Sequence, residues 1–368
     1  MKKNRIFIGT RGSKLALWQA EWVKAELEIL YPEFEIELVK IKTTGDKILD
    51  VPLAAAGGKG LFVKEIEESL LRHNIDIAVH SMKDVPTEFP DGLHLAAVCK
   101  REDPRDALIL SKRSNPPTPL IPPLTRGESG GGKKVGEGGF GTHRSLLFTL
   151  PHGARIGTSS LRRSCQLLNI RPDLKIKNLR GNLDTRLRKL DEGQFDAIIL
   201  AAAGVKRLGL ENRITELFPF EVSLPAIGQG AIGVECRIDY EFVNKLIAPL
   251  NHPETFKCVK AERAFLKRLE GGCQVPIAAY ARIIGKESRV NSHSSLLKSG
   301  DQCPVTNDRS VLIMDGLVGS LNGEKIIRSH IEGNPEQAEF LGIKMAEDIL
   351  SRGAKEILDE VYKRSLPR

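Results

Sequence analysis

The sequence predicts two α/β lobes of like build around a cleft, followed by a smaller α+β domain. A short strand, a small polar turn and an amphipathic helix occur in that order at Ile8-Gly9-Thr10 and again at Ile156-Gly157-Thr158. The apolar strand at Asp76-Ile77-Ala78-Val79 has a counterpart in Asp196-Ala197-Ile198-Ile199. After Cys236 the pattern changes to one long helix, three strands and two amphipathic helices. A chain of 368 residues also exceeds what one core normally holds.

Residues 5–9 read as a buried strand, and Thr10-Arg11-Gly12-Ser13 as a turn. Helical spacing of Leu15, Trp18, Trp22, Val23, Leu27 and Leu30 follows, with Ser13 as N-cap. Residues 35–42 are the next strand, 54–60 a loop of small residues, 62–73 a helix and 76–80 a strand. The second lobe repeats this with strands at 155–157, 173–178 and 196–201 and helices at 161–170 and 184–192. The last part reads as helices at 255–269, 336–350 and 354–362 and strands at 275–284, 311–318 and 325–331. The expected domains are 1–101 with 231–248, then 106–224, then 253–368. Segments 111–148, rich in Pro and Gly, and 286–309, polar and Ser-rich, cannot bury a core and read as disordered surface insertions.

The formal net charge is +8, which suggests an anionic partner. Part of that excess lies in the 111–148 segment, and aromatics are only 5%, so nucleic acid is not favoured. No apolar run is long enough to span a bilayer, and no secretory signal is read at the start. Six cysteines are scattered without CxxC or zinc spacing, which fits a reduced cytoplasmic protein with no metal. Gly127 to Lys133 imitates a phosphate loop, but Lys134 replaces its Ser/Thr, and the flanking strand and helix are missing.

Arg11 and Ser13 sit between a strand and a helix N-terminus, as do Thr158, Ser159 and Ser160, with Arg162 and Arg163 just inside the helix. Free N–H groups and arginine forks suit carboxylates there, although N-caps on a solvated basic face is the plainer reading of either site alone. Arg180, Arg186 and Arg207 at loop-like places extend the set toward a polycarboxylate. Ser81, Lys83 and Asp84 follow a buried strand, where α/β proteins place chemistry; a turn-closing ion pair is the alternative. Gly271-Gly272-Cys273 puts one thiol in a flexible loop after a helix, whereas the other cysteines, Cys303 excepted, read as core.

Several blocks together resemble the porphobilinogen deaminase, or hydroxymethylbilane synthase, family. They are GTRGSKLALWQA (9–20), GGKGLFVKEIE (57–67), DIAVHSMKDVP (76–86), REDPRDAL (101–108), GTSSLRR (157–163), LRGNLDTRL (179–187), LPAIGQGAIGVECR (224–237) and AERAFLKRLEGGCQVPIAAY (261–280). The resemblance covers nearly the whole chain outside the two insertions. It implies a transferase that deaminates four porphobilinogen molecules and links them head to tail into a linear hydroxymethylbilane. It implies a dipyrromethane cofactor, one per chain, on a thioether to Cys273, and Asp84 as the catalytic residue. Ser81, Lys83, Thr158, Ser159, Ser160, Arg162 and Arg163 match cofactor-binding positions. Arg11, Ser13, Lys59, Arg180, Arg186 and Arg207 match substrate-binding ones. A cytoplasmic monomer without nucleic-acid or membrane partners is expected. Ala55 stands where many members carry lysine, and Gly12 where a side chain such as glutamine is common. The chemistry suits the residues: porphobilinogen losing ammonia leaves a cationic methylene-pyrrole, and a fixed carboxylate stabilises it. The alternative is a non-catalytic two-lobed anion-binding protein, since the lobes resemble periplasmic-binding-protein architecture.

Overall fold

The structure is a computed structural model that describes residues 5–47, 62–111, 145–271, 275–285 and 310–365. In chain order the first lobe contains β1 (Arg5–Thr10), α1 (Lys14–Leu30), β2 (Glu35–Lys40), the short α2 (Thr44–Lys47), α3 (Lys64–Leu71), β3 (Ile77–Ser81) and β4 (Leu93–Val98). The chain then crosses into β5 (Asp106–Leu110), β6 (Arg155–Gly157), α4 (Leu161–Ile170), β7 (Lys175–Lys177), α5 (Leu183–Asp191), β8 (Ala197–Ala201), α6 (Ala202–Arg207) and β9 (Glu216–Leu217). It returns as β10 (Ile232–Arg237) and α7 (Glu241–Ile247). The C-terminal part is α8 (Pro253–Arg268), β11 (Ile277–Ile284), β12 (Val311–Gly319), β13 (Ile326–Gly333), α9 (Ala338–Ile349) and α10 (Lys355–Ser365).

The two lobe sheets have equivalent orders, β2-β1-β3-β10-β4 and β7-β6-β8-β5-β9. In each, the first three strands are parallel. The fourth strand comes from the crossing chain and runs antiparallel to both neighbours. These are the two α/β lobes of like build expected from the sequence. β3 and β8 are nearly continuous apolar runs because helices or partner strands cover them on every side. Their C-terminal ends deliver Ser81 and Ala201 to the cleft edge. β11, β12 and β13 form a separate antiparallel meander. Phe265 of α8 and Met345 of α9 pack into one core with its residues Ala279, Leu312 and Met314. Gly342 lets α8 and α9 touch, since a Cβ there would lie 2.1 Å from the Ala261 carbonyl oxygen.

Helix starts are set locally. Ser13 accepts from Ala16 N–H at 3.3 Å, Ser160 from Arg163 N–H at 3.4 Å, and Asn182 from Thr185 N–H at 2.9 Å. The crossover strands β5 and β10, the edge strands β4 and β9, and α6 and α7 carry no assignment in the sequence reading. The second strand ends at Lys40 rather than at residue 42. The segment read as an insertion through residue 148 also needs correction at its end. Leu147 is fully buried, and the Ser145 hydroxyl and Leu146 N–H both donate to Glu216. These residues close the second lobe's core, so they belong to the fold. The rest of that segment from 112 to 144, the 286–309 segment, Ala55, Lys59 and Cys273 lie outside the described residues. Among the described residues no helix is long and apolar enough to cross a membrane.

Candidate active site

The turn after β3 is a single 3-10 turn, Met82–Asp84. Met82 anchors it: its side chain is buried and its N–H donates to the Ala231 carbonyl at 3.0 Å. Lys83 and Asp84 are thereby left half-buried beside the second lobe. Burial lowers the Lys83 pKa, Asp84 and Asp106 oppose this, and Arg163 and Arg186 lower it further. Residues of both lobes therefore share one electrostatic neighbourhood, as the sequence reading expected of a cleft.

The second lobe contributes a dense basic group. The Arg186 pKa falls to about 10 through burial, with Arg163 and Arg180 repelling it and Asp84 partly compensating. Its Nε donates to the Gly181 carbonyl at 2.8 Å, which fixes the side chain against the turn where Gly181 has φ 111°. Burial also lowers the Arg180 pKa, and its buried Nε has no hydrogen-bond partner among the described residues.

Arg162 and Arg163 are both bound to Asp106, a residue to which sequence reasoning gave no role. Arg162 Nη1 donates to Asp106 Oδ2 at 2.7 Å, and Arg163 donates to Oδ1 through Nη2 at 2.7 Å and Nε at 3.0 Å. Ser223 and Gln229 add donors at 2.8 and 3.0 Å. Burial alone would raise the Asp106 pKa, but the two guanidiniums hold it far below the usual carboxylate range. Asp106 itself is fully buried, and the arginines are only 5% and 6% exposed. The plainer reading of these arginines, a solvated basic face, does not hold.

The small hydroxyl residues are mostly occupied locally. Thr158 Oγ1 accepts from Ser160 N–H at 3.2 Å, and Ser160 caps α4. Ser159 is exposed, and its hydroxyl lies against Asn178 Oδ1 and the Leu179 backbone. Ser81 donates to Gln19 Oε1 at 3.0 Å. Gln19, a second residue missed from sequence, is 2% exposed, and its Nε2 has no hydrogen-bond partner among the described residues. Arg11 and Arg207 are held elsewhere along the lobes. Arg11 stacks 4.2 Å over the Phe62 ring, and Arg207 stacks 5.7 Å from Trp18 while donating to the Gly230 carbonyl at 2.7 Å.

Five cations, Lys83, Arg162, Arg163, Arg180 and Arg186, thus face two acids, Asp84 and Asp106. The uncompensated charge and the orphaned donors on Arg162, Arg180 and Gln19 call for several anionic oxygens. A dipyrromethane bearing acetate and propionate groups fits that demand. Among the described residues no cluster of three or more His, Cys, Asp or Glu is arranged to hold a metal ion.

A family profile described as porphobilinogen deaminase, dipyromethane cofactor binding domain, matches residues 6–245, and one described as its C-terminal domain matches residues 256–351. The chain belongs to the porphobilinogen deaminase family. A porphobilinogen deaminase of Geobacter sulfurreducens is 51% identical over 100% of this chain and 98% of its own. One from Pelobacter propionicus is 49% identical over 100% of both chains, and one from Geobacter metallireducens is 50% identical over 100% and 98%. A solved probable amino-acid transporter binding protein of Bacillus subtilis is similar over 68% of this chain and 90% of its own, at 13% identity and a TM-score of 0.36.

Proposed function

We propose that this chain is a hydroxymethylbilane synthase, a transferase that joins four porphobilinogens head to tail with release of ammonia. The observation that carries the proposal is the meeting of Lys83 and Asp84 from one lobe with Arg163, Arg180 and Arg186 from the other, in a chain of this family. Dipyrromethane, when bound, supplies the free pyrrole carbon to which the first new ring is joined. We assign its attachment to Cys273, two positions after Gly271 in the sequence. A Cβ at Gly271 would meet Ile277 Cδ1 at 2.5 Å, so the chain leaves α8 through a tight passage.

Asp84 holds the positive charge that develops on the substrate pyrrole as ammonia departs, and it takes or returns the ring proton. Lys83 holds a cofactor carboxylate, while Arg180 and Arg186 orient substrate carboxylates, joined by Arg11, Ser13, Arg207 and Lys59. Arg162 and Arg163, braced by Asp106, present their remaining N–H groups to the cofactor with Ser81, Thr158, Ser159 and Ser160. The domain limits we propose are 1–101 with 231–248, 106–224 and 253–368, a division supported by the three separate sheets. A cytoplasmic monomer with a small-molecule substrate is the assembly we infer; four buried free thiols, Cys99, Cys165, Cys236 and Cys258, suit a reducing compartment.

The test is the intact mass of the purified chain, followed by ammonia release and linear tetrapyrrole formation with porphobilinogen. The expected result is an added mass of two pyrrole units that Cys273→Ser abolishes, together with turnover. Protein that carries no pyrrole and releases no ammonia overturns the reading in favour of a non-catalytic anion-binding protein.

A further inference from the structure

Three titratable side chains outside the site lie buried together beneath the strand that carries it. Glu67 of α3, His80 of β3 and Glu235 of β10 are 7%, 6% and 0% exposed. His80 Nε2 lies 3.0 Å from Glu235 Oε2. Among the described residues, the other oxygen of that carboxylate, Oε1, has no hydrogen-bond partner, and neither has Glu67 Oε1. Two buried carboxyls with open oxygens are costly when both are ionised, whereas a carboxylic acid beside a carboxylate supplies the missing donor.

Among the described residues, the nearby charged groups are engaged elsewhere. Along β10 the next side chain on that face, Arg237, is turned to the Leu70 and Ile75 carbonyls at 2.7 and 2.9 Å and to Asp76. From α8, Arg263 feels the charge of Glu235, but its guanidinium donates to the Val85 and Pro86 carbonyls at 3.2 and 2.5 Å. On α3 itself, Glu65 is engaged by Thr44, and Glu68 pairs with Arg72. The remaining neighbours on this side of the sheet, Ile66, Leu70, Ile75, Ala78 and Leu93, are apolar.

We infer that Glu67 is held as the neutral acid beneath β3, beside the His80–Glu235 pair, so that the seating of α3 on the strand delivering Lys83 and Asp84 responds to pH. The proton's place is on Glu67, whose pKa burial and then Glu235 raise to about 7, with His80 opposing. Between the ordinary value of 4.5 and about 7 the folded protein holds a proton that the unfolded chain has lost. Stability from this cluster is therefore full below about 4.5, declines as pH rises and is gone above about 7. What gives way first is the helix, because α3 meets the sheet through only a few side chains, whereas β3 is held by strands on both sides.

The experiment is hydrogen exchange of the full-length protein at pH 6 and pH 8, corrected for intrinsic exchange and read on peptides covering residues 64–71. Protection there is expected to fall at least about tenfold more than in α8. Glu67→Gln, which keeps the size and a donor but cannot ionise, should abolish the difference. Equal protection of α3 at both pH values overturns the inference, and so does a Glu67→Gln protein that keeps the pH dependence. The wild-type comparison needs no variant to fold. No turnover is read, so failure here leaves the assignment of activity untouched, and the reverse also holds.

Discussion

Arg101 and Glu262 meet through two parallel hydrogen bonds of 2.7 Å at the junction of both lobes with the C-terminal part. Arg101 lies on the first crossing between lobes, and Glu262 sits inside α8 with no exposure. Glu262 also accepts from Gly228 N–H on the second crossing at 2.7 Å and from Ala281 N–H of β11 at 2.8 Å. Arg101 Nε reaches the Gln229 carbonyl at 3.0 Å, and the Gln229 side chain reaches Asp106. One carboxylate thus pins both crossings to the helix that leads toward Cys273. Either Arg101→Leu or Glu262→Leu leaves a buried charge unpaired, which costs about 3–5 kcal/mol. Each is expected to lower the melting temperature by about 4–6 °C. The double variant Arg101→Leu/Glu262→Leu should recover part of that loss, and melting curves of all three check this. A single variant that melts with the wild type contradicts the bracing role.

Asp106 separates the arginines into two groups. Arg162 and Arg163 are joined to it, whereas Arg186 is fixed by a backbone carbonyl. Arg162→Leu and Arg163→Leu are expected to lose both stability and primer, giving mainly protein without cofactor. Arg186→Leu should load primer, melt near the wild type and stall during elongation. Asp106 stays ionised in the fold far below 3.8, so its contribution is present above about pH 3.8 and is lost only in stronger acid. Intact mass, melting curves and the distribution of elongation products measure these outcomes. Equal primer loading and equal melting in all three variants would contradict the division.

Gln19 carries a different expectation. Its Oε1 is used by Ser81, while its Nε2 is a buried donor without an acceptor among the described residues. Gln19→Met keeps the length and removes that orphan together with the acceptor of the Ser81 hydroxyl, two opposing effects, so stability should change little. If the donor serves a substrate oxygen, turnover at low porphobilinogen should fall about threefold to tenfold. Unchanged kcat/KM in folded, primer-loaded Gln19→Met would make the orphan irrelevant to catalysis.

These residues also mark where sequence reading stops. Ser13 and Ser160 were legible because a cap is a contact between positions three apart. Lys83 and Asp84 were legible because β3 is a nearly continuous apolar run that ends just before them. Asp106, Gln19 and Glu262 were not, since the partners that give them roles come from distant segments: Asp106 takes Arg162 and Arg163, Gln19 takes Ser81, and Glu262 takes Arg101. β10 escaped for the same reason. Its register is set by β3 and β4 of a sheet left more than a hundred residues earlier. Residues at positions 145–148 looked like the end of a Pro/Gly-biased tract, and only Glu216 and the second lobe's core show them as part of the fold.

Asp84 is where the proposed chemistry is most exposed to test. It closes a 3-10 turn whose backbone is fixed through buried Met82, so its carboxylate is placed by the fold and needs no ion pair to stay there. Around it stand Lys83 and Arg186, both with lowered pKa values. Such a setting puts a carboxylate where it can act on a developing cation in a site partly closed to water. Asp84→Asn keeps the shape and removes the charge. Turnover of folded, primer-loaded protein is expected to fall about a hundredfold to a thousandfold, and the melting temperature should stay close to that of the parent. Asp84→Glu keeps the charge but shifts it by one methylene, so it should be slow yet active. The competing reading, a turn-closing ion pair with Lys83, predicts lower stability with activity per folded molecule largely kept. Turnover within a few-fold of the parent, accompanied by a lowered melting temperature, would establish that reading and remove Asp84 from the mechanism.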